Sequence, residues 1–288
     1  MNNLIGRIIT GKITDENDKY YFVQSEGVTF ELDKSEIKKP FKIGANFKGF
    51  AYENENHKLQ ITRNIPKIRM DHYGFAPVVK EKFGLGVFVD IGLPNKDIVV
   101  SIDELPTIHS LWPQDGDRLL IDLIVDSKGR LWGHLADEDI FQAIARPVKS
   151  NLMNKNISAT AYRLKLAGTH LLSDDYHLAF LHPDERQIEP RLGQRVSGRV
   201  IGTLKDGTIN ISTRPRAYEE IDDDAKMILE SLKRSANGIL EFSDKSDPKE
   251  IKDYFGISKA SFKRAIGHLL KNNLIIQVDG HIELKKLG

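Results

Sequence analysis

Gly116-Asp117-Arg118-Leu119-Leu120-Ile121-Asp122-Leu123-Ile124, followed after a polar turn by Leu131-Trp132-Gly133-His134, decides the fold, because the chain carries this pattern three times. Its counterparts are Gly44-Ala45-Asn46-Phe47-Lys48-Gly49-Phe50-Ala51-Tyr52 with Leu59-Gln60-Ile61-Thr62, and Gly193-Gln194-Arg195-Val196-Ser197-Gly198-Arg199-Val200-Ile201 with Ile209-Asn210-Ile211-Ser212. A repeat of roughly 75 residues is the size of a very small domain, and internal repeats set an architecture. Period-two alternation half-buries a strand. Asn54-Glu55-Asn56, Ser127-Lys128-Gly129 and Lys205-Asp206-Gly207 supply the turn between the two strands of each hairpin. Upstream of the hairpins lie Ile8 to Ile13 with Tyr20 to Val23, Val87 to Ile91 with Asp97 to Val100, and Ala159 to Leu164 with Leu178 to Leu181. About five short strands per repeat predict a small closed Greek-key barrel of the OB type.

Pro66, Pro147 and Pro215 punctuate the chain and place the boundaries at 1–63, 64–147, 148–214 and 215–288. Beyond Pro215 the apolar period becomes 3.6. Tyr218 to Ser235 carries Ile221, Ala225, Ile228, Leu229 and Leu232 on one stripe; Pro248 opens a short helix to Phe255; Gly256 breaks it; Ser258 caps a third helix to about Lys271. Leu274 to Val278 and His281 to Leu284 flank Asp279-Gly280 as a hairpin. That order is a winged helix-turn-helix. The expected fold is therefore mainly β with a C-terminal α+β domain: three tandem five-stranded OB-type barrels, then a winged helix.

The chain has 288 residues, 40% hydrophobic and 29% charged, and a formal net charge of +1. The charge is unevenly spread. Ten basic and six acidic residues lie between 150 and 216, and twelve and eight from 225 onward, so positive charge gathers in the C-terminal half. Without cysteine there is neither a disulfide framework nor a thiolate metal or redox site. The N-terminus lacks a signal-like apolar run and no stretch is apolar enough for a bilayer, so a cytoplasmic location is expected, with no membrane contact. The sequence holds no P-loop, metalloprotease motif or nucleophile elbow, which leads to the reading of a non-enzyme without cofactor or metal.

Phe83-Gly84-Leu85-Gly86-Val87-Phe88-Val89-Asp90-Ile91-Gly92 resembles the aromatic signature of S1 RNA-binding domains, with a small insertion between the two aromatics. Asp126-Ser127-Lys128-Gly129-Arg130 resembles that family's closing turn. The resemblance implies that Phe83, Phe88, Asp126 and Arg130 contact RNA, and it puts Ser101 where the family has a histidine. In the first repeat Lys58 takes the arginine position and Tyr20 and Phe22 offer rings; in the third, Gly168-Thr169-His170-Leu171 replaces the signature, His182 the histidine, and Thr208 the arginine, while Arg199 adds charge nearby. Three S1-like units plus a winged helix resemble the conserved virulence factor B family over nearly the whole chain. That family implies RNA binding and control of gene expression, including virulence, after transcription.

Single-stranded RNA is thus the expected partner, since aromatic side chains stack on any base while cations follow the phosphates. A DNA-binding regulator is the alternative, with Lys259, Lys263 and Arg264 on the third helix reaching duplex phosphates, Lys259 and Lys263 sharing one face. The bland alternatives remain open: Phe83 and Phe88 as barrel core, His170 and His182 as packing residues, Arg130 and the helix cations as solvated charge. Phe262, Ile266, Leu269 and Leu270 read as the buried stripe of the third helix. His182-Pro183-Asp184-Glu185 does not read as a metal site, because adjacent side chains cannot converge on one ion. The oligomeric state is left open.

Overall fold

Alternating burial is what curls each repeat: on β1 (Ile8–Glu16) Ile9 and Ile13 point inward while Ile8, Thr10 and Lys12 meet solvent. A strand with one apolar face must cover it, and here it does so by closing on itself. The structure, a computed structural model, describes residues 4–215, 223–235 and 237–285. β1 is followed by β2 (Tyr20–Ser25), β3 (Val28–Asp33), β4 (Asn46–Glu53) and β5 (Leu59–Thr62), forming a closed barrel in the order β1-β2-β3-β5-β4.

The second repeat supplies β6 (Gly74–Lys82), β7 (Gly86–Val89), β8 (Ile98–Ser101), β9 (Arg118–Val125) and β10 (Leu131–Leu135), then a short helix α1 (Glu138–Ile144). The third supplies β11 (Asn156–Lys165), β12 (Gly168–Ser173), β13 (Leu178–Leu181), β14 (Arg195–Thr203) and β15 (Ile209–Ser212). Both close with the same cyclic order as the first barrel. Phe30, Phe50, Ile61, Ile121, Leu123, Leu171 and Leu181 are among the fully buried side chains that fill the interiors.

The three barrels are packed into one unit ending at Thr213. The cores of the first two share one apolar cluster, which Leu192 of the third repeat joins. Between the second and third, Phe141 on α1 stacks on Tyr162 at 3.8 Å between centroids, beside Leu120 and Leu172. The Leu192 amide donates to the Leu111 carbonyl at 3.0 Å, and Arg191 Nε donates to the nearly buried Asp117 at 3.0 Å. The barrels are therefore fixed modules rather than beads on free linkers.

The second unit carries α2 (Asp223–Arg234), β16 (Ile239–Leu240), α3 (Pro248–Phe255), α4 (Lys259–Lys271), β17 (Ile275–Val278) and β18 (His281–Leu284), with sheet order β16-β18-β17. This is the expected winged helix, plus the two-residue strand β16. Asp247 and Ser258 cap α3 and α4, and Gly256 ends α3 at φ 73. Tyr218 to Asp222, expected to begin the first helix, lie outside the described residues. Leu270, expected in the buried stripe, is 36% exposed; Ala265 takes its place beside Phe262, Ile266 and Leu269.

Because Phe141 closes the junction between barrels, Phe141→Ala should cost about 3–5 kcal/mol. Denaturant unfolding will show the whole unit losing stability together; an unshifted midpoint would mean that the barrels fold independently.

Candidate nucleic-acid interface

Strand register brings the three barrels into correspondence. Each has a bulge on its first strand, after Ile13, Val78 and Ala161. A bulge re-aims the next side chains. Beyond it the pairs run Asp15↔Phe22, Lys80↔Phe88 and Arg163↔His170. The next strands continue as Phe22↔Glu31, Phe88↔Val99 and His170↔Phe180, and the parallel pairs close as Glu31↔Gln60, Val99↔Trp132 and Phe180↔Asn210. Each barrel thus presents one four-residue row outward.

In the second barrel the row is Lys80, Phe88, Val99 and Trp132. Lys80 Nζ lies 4.8 Å from the Phe88 ring centre and donates to Asp97 at 2.8 Å. The Arg130 guanidinium sits 5.2 Å from the Trp132 ring. Asp126 holds both: Arg130 Nε donates to it at 2.7 Å and Trp132 Nε1 at 3.2 Å. The Lys128 and Arg130 amides donate to its other oxygen at 2.9 Å. These donors, the Arg130 amide foremost, hold the Asp126 carboxyl down at about 2. The turn therefore fixes a cation and an indole side by side, the two parts that single-strand binding requires. Phe83 lies not on a strand but at the tip of the β6–β7 loop, 97% exposed. Ser101 caps the following 3-10 turn.

The third barrel presents Arg163, His170, Phe180 and Asn210. Its rings form a chain: Tyr162 to His170 at 6.1 Å, His170 to Phe180 at 5.4 Å, Phe180 to His182 at 6.5 Å. Gly168 makes room for this chain, since at its φ of 143 a Cβ would stand 2.4 Å from Phe180 Cζ. Burial lowers the His170 pKa from its ordinary value and lifts Tyr162 to about 12. Glu138 lies 3.4 Å from both Arg163 and Lys165. His182 caps a 3-10 turn by accepting from the Asp184 amide at 3.2 Å. Leu204 and Thr208 occupy the turn positions that Asp126 and Arg130 hold in the second barrel, so the clamp is missing here. Arg199 on β14 pairs with Ser212 on β15, and its Nε finds no hydrogen-bond partner among the described residues.

The first barrel differs in charge and access. Its row is Asp15, Phe22, Glu31 and Gln60, and Gln60 is buried. The Tyr52 hydroxyl lies 3.0 Å from Gln60 Oε1 and 2.9 Å from Asn95 Oδ1, and Asn95 Nδ2 donates to Gln60 at 2.7 Å. A loop of the second barrel thus sits on this face. Tyr20 is half-buried under Lys19, and Lys58 is exposed at the closing turn.

On the winged helix, Lys263 and Arg264 are exposed, Arg264 standing 3.8 Å from Asp224. Lys259 Nζ instead donates to the Ser246 carbonyl at 2.7 Å, which holds it against α3's leading loop.

Sequence reasoning passed over Lys80, Trp132 and Phe180 as site residues. Their signal was present: Trp132 alternates with buried Leu131 and Gly133, and Phe180 with buried Ala179 and Leu181. Comparison with known proteins agrees with this architecture. Residues 5–64 match the S1 domain, 73–134 the first S1-like domain of virulence regulatory factor CvfB, 141–215 its second domain and 226–284 the CvfB-like winged helix domain. Conserved virulence factor B of Staphylococcus epidermidis is 42% identical over 90% of this chain and 87% of its own length. The chain belongs to the conserved virulence factor B family. Its Staphylococcus aureus member is 39% identical over 95% of this chain and 91% of its own. A crystal structure from Streptococcus pneumoniae, described as a multidomain protein with nucleic acid binding domains, matches with a TM-score of 0.72 at 45% identity over 99% of both chains. Among the described residues no helix is long and apolar enough to cross a membrane.

The half-buried position of His170 makes a sign prediction. Its folded pKa is lowered, so the folded state resists protonation and loses stability as pH falls below the unfolded value near 6.5. An NMR titration should give a midpoint for His170 below the ordinary histidine value of about 6.5; a midpoint at or above it would contradict its desolvation against the ring chain.

Proposed function

We propose that this protein binds single-stranded RNA through the outward rows of its second and third barrels, and that it acts in the cytoplasm on gene expression after transcription, without chemistry of its own. The observation that carries the reading is the clamp of Asp126, Arg130 and Trp132 beside Phe88 and Lys80. Flat rings next to held cations accept unpaired bases and their phosphates, whereas paired bases keep their faces inside a duplex. The excess of basic residues from 150 to 216 supports the third barrel as a second contact. On the winged helix, Lys263 and Arg264 supply phosphate contacts. Duplex readout is the weaker reading, since Lys259 is held by a carbonyl and the wing carries Asp279 and Glu283.

Filter binding should give tighter retention of single-stranded RNA than of duplex DNA of equal length at one salt concentration; the reverse order would reject the reading. Trp132→Ala with Arg130→Ala should weaken RNA binding by about tenfold or more, one lost stacking platform being worth about 1–3 kcal/mol, with unfolding little changed. Lys263→Gln with Arg264→Gln should reduce the slope of log K against log salt by about 0.7 per lost phosphate contact. An unchanged slope would remove the winged helix from the interface.

A further inference from the structure

Where the second and third barrels meet, a surface cleft of about 310 Å³ is lined by Phe75, Arg118, Ser173, Asp174, Tyr176 and Arg195. Its lining comes from β6, β9, β14, the end of β12 and the β12–β13 turn, whereas the ring chain of the third barrel runs from Tyr162 on β11 through His170 and Phe180 to His182. The mechanism proposed above leaves it unused. Its size falls at the lower end of the range for small-ligand pockets.

Three arginines are held in place at this cleft. Arg118 Nε donates to Thr160 Oγ1 at 2.8 Å and its Nη2 to Asp174 at 2.7 Å, while the guanidinium lies 4.8 Å from the Phe75 ring. Arg195 donates to the other oxygen of Asp174. Arg146 sits 5.0 Å from the Tyr176 ring, which it flanks from outside the lining. One carboxylate thus orients two guanidinium groups and uses part of their donor capacity; the other N–H groups can meet an anion. Asp175, next in the chain, is exposed and does not reverse the local excess of positive charge.

Tyr176 supplies the second observation. It occupies the β12–β13 turn at φ 67, a left-handed conformation that glycine or asparagine adopts readily and a bulky ring rarely does. Strain of this kind points toward a use for the side chain. The turn closes through backbone bonds: the Tyr176 amide donates to the Ser173 carbonyl at 2.9 Å, and the Arg146 amide to the Tyr176 carbonyl at 2.7 Å. Neither bond needs the ring. The ring packs in part against the Leu120, Phe141 and Leu172 cluster and lines the cleft together with Phe75, with guanidinium groups beside it.

We propose that this cleft is a nucleoside-phosphate site: a base against the Tyr176 and Phe75 rings and a phosphate at Arg195 and Arg118. The chemistry is the same whether the nucleotide is free or is one unit of a bound strand.

The test uses the full chain, calorimetric titration at low ionic strength and adenosine 5′-monophosphate as probe. Saturable binding is expected, with adenosine alone and inorganic phosphate alone each weaker by at least about tenfold. Tyr176→Gly suits the turn's backbone but removes a ring packed beside Phe141, so its Tm is measured alongside; it and Arg195→Glu should each weaken the mononucleotide by at least about tenfold. A single-stranded RNA 12-mer separates the sources. Weakened RNA binding in both variants assigns the cleft to a unit of the strand; unchanged RNA binding assigns it to free nucleotide. Trp132→Ala keeps mononucleotide binding whatever it does to RNA, so the two readings fail separately. No saturable binding by wild type, or wild-type affinity in Tyr176→Gly and Arg195→Glu, overturns the proposal.

Discussion

Closure of a five-stranded ladder is the constraint from which the rest follows. Once β1, β6 or β11 pairs on both edges, every second side chain must enter a small interior and every other one must leave it. The interior is filled mainly by apolar groups such as Val87, Val89, Ala179 and Leu181. The alternate positions are then released from packing duty, and the chain has placed Phe88, Trp132, His170 and Phe180 there. Burying a ring of this size inside would be favourable by about 25 cal/mol per Å². Leaving rings at the surface forgoes that stabilisation, which is why their position argues for a ligand.

The same closure, repeated, has been put to different uses. In the second barrel Asp126 fixes a cation beside an indole. In the third, His170 and His182 extend a ring chain while Leu204 and Thr208 replace the ionic turn. In the first, the row carries Asp15 and Glu31, and Asn95 from the neighbouring barrel seals it through Gln60 and Tyr52. A strand of phosphates would meet carboxylates and a blocked face there. The first barrel thus braces the second, and its lost row supplies part of the joint between them.

Much of this could be read from the sequence. Period-two alternation, three glycine-led hairpins and the change of period after Pro215 specify three barrels and a winged helix. Asp126 and Arg130 were recognisable because their spacing belongs to one turn, whose backbone hydrogen bonds are local. Trp132 was harder: its partnership with Arg130 passes through a shared carboxylate, and its place beside Val99 is a parallel pairing of strands more than 30 residues apart. Phe83 shows the opposite difficulty. The inserted residues make a loop, so an aromatic that the S1 signature would set on a strand is carried to its tip. Lys259 reads as a free cation until the Ser246 carbonyl is seen beside it, and Leu270 reads as core although it stands exposed on α4 while Ala265 is buried. The packing of barrel on barrel, through Phe141, Tyr162, Arg191 and Asp117, leaves no periodic trace at all.

The central claim concerns which surface meets the strand, and photochemical crosslinking measures that surface directly. With 4-thiouridine-substituted single-stranded RNA and the intact protein, the account predicts crosslinked peptides containing Phe88, Trp132, His170 or Phe180. Crosslinks confined to the first barrel, around Phe22 and Glu31, would contradict it.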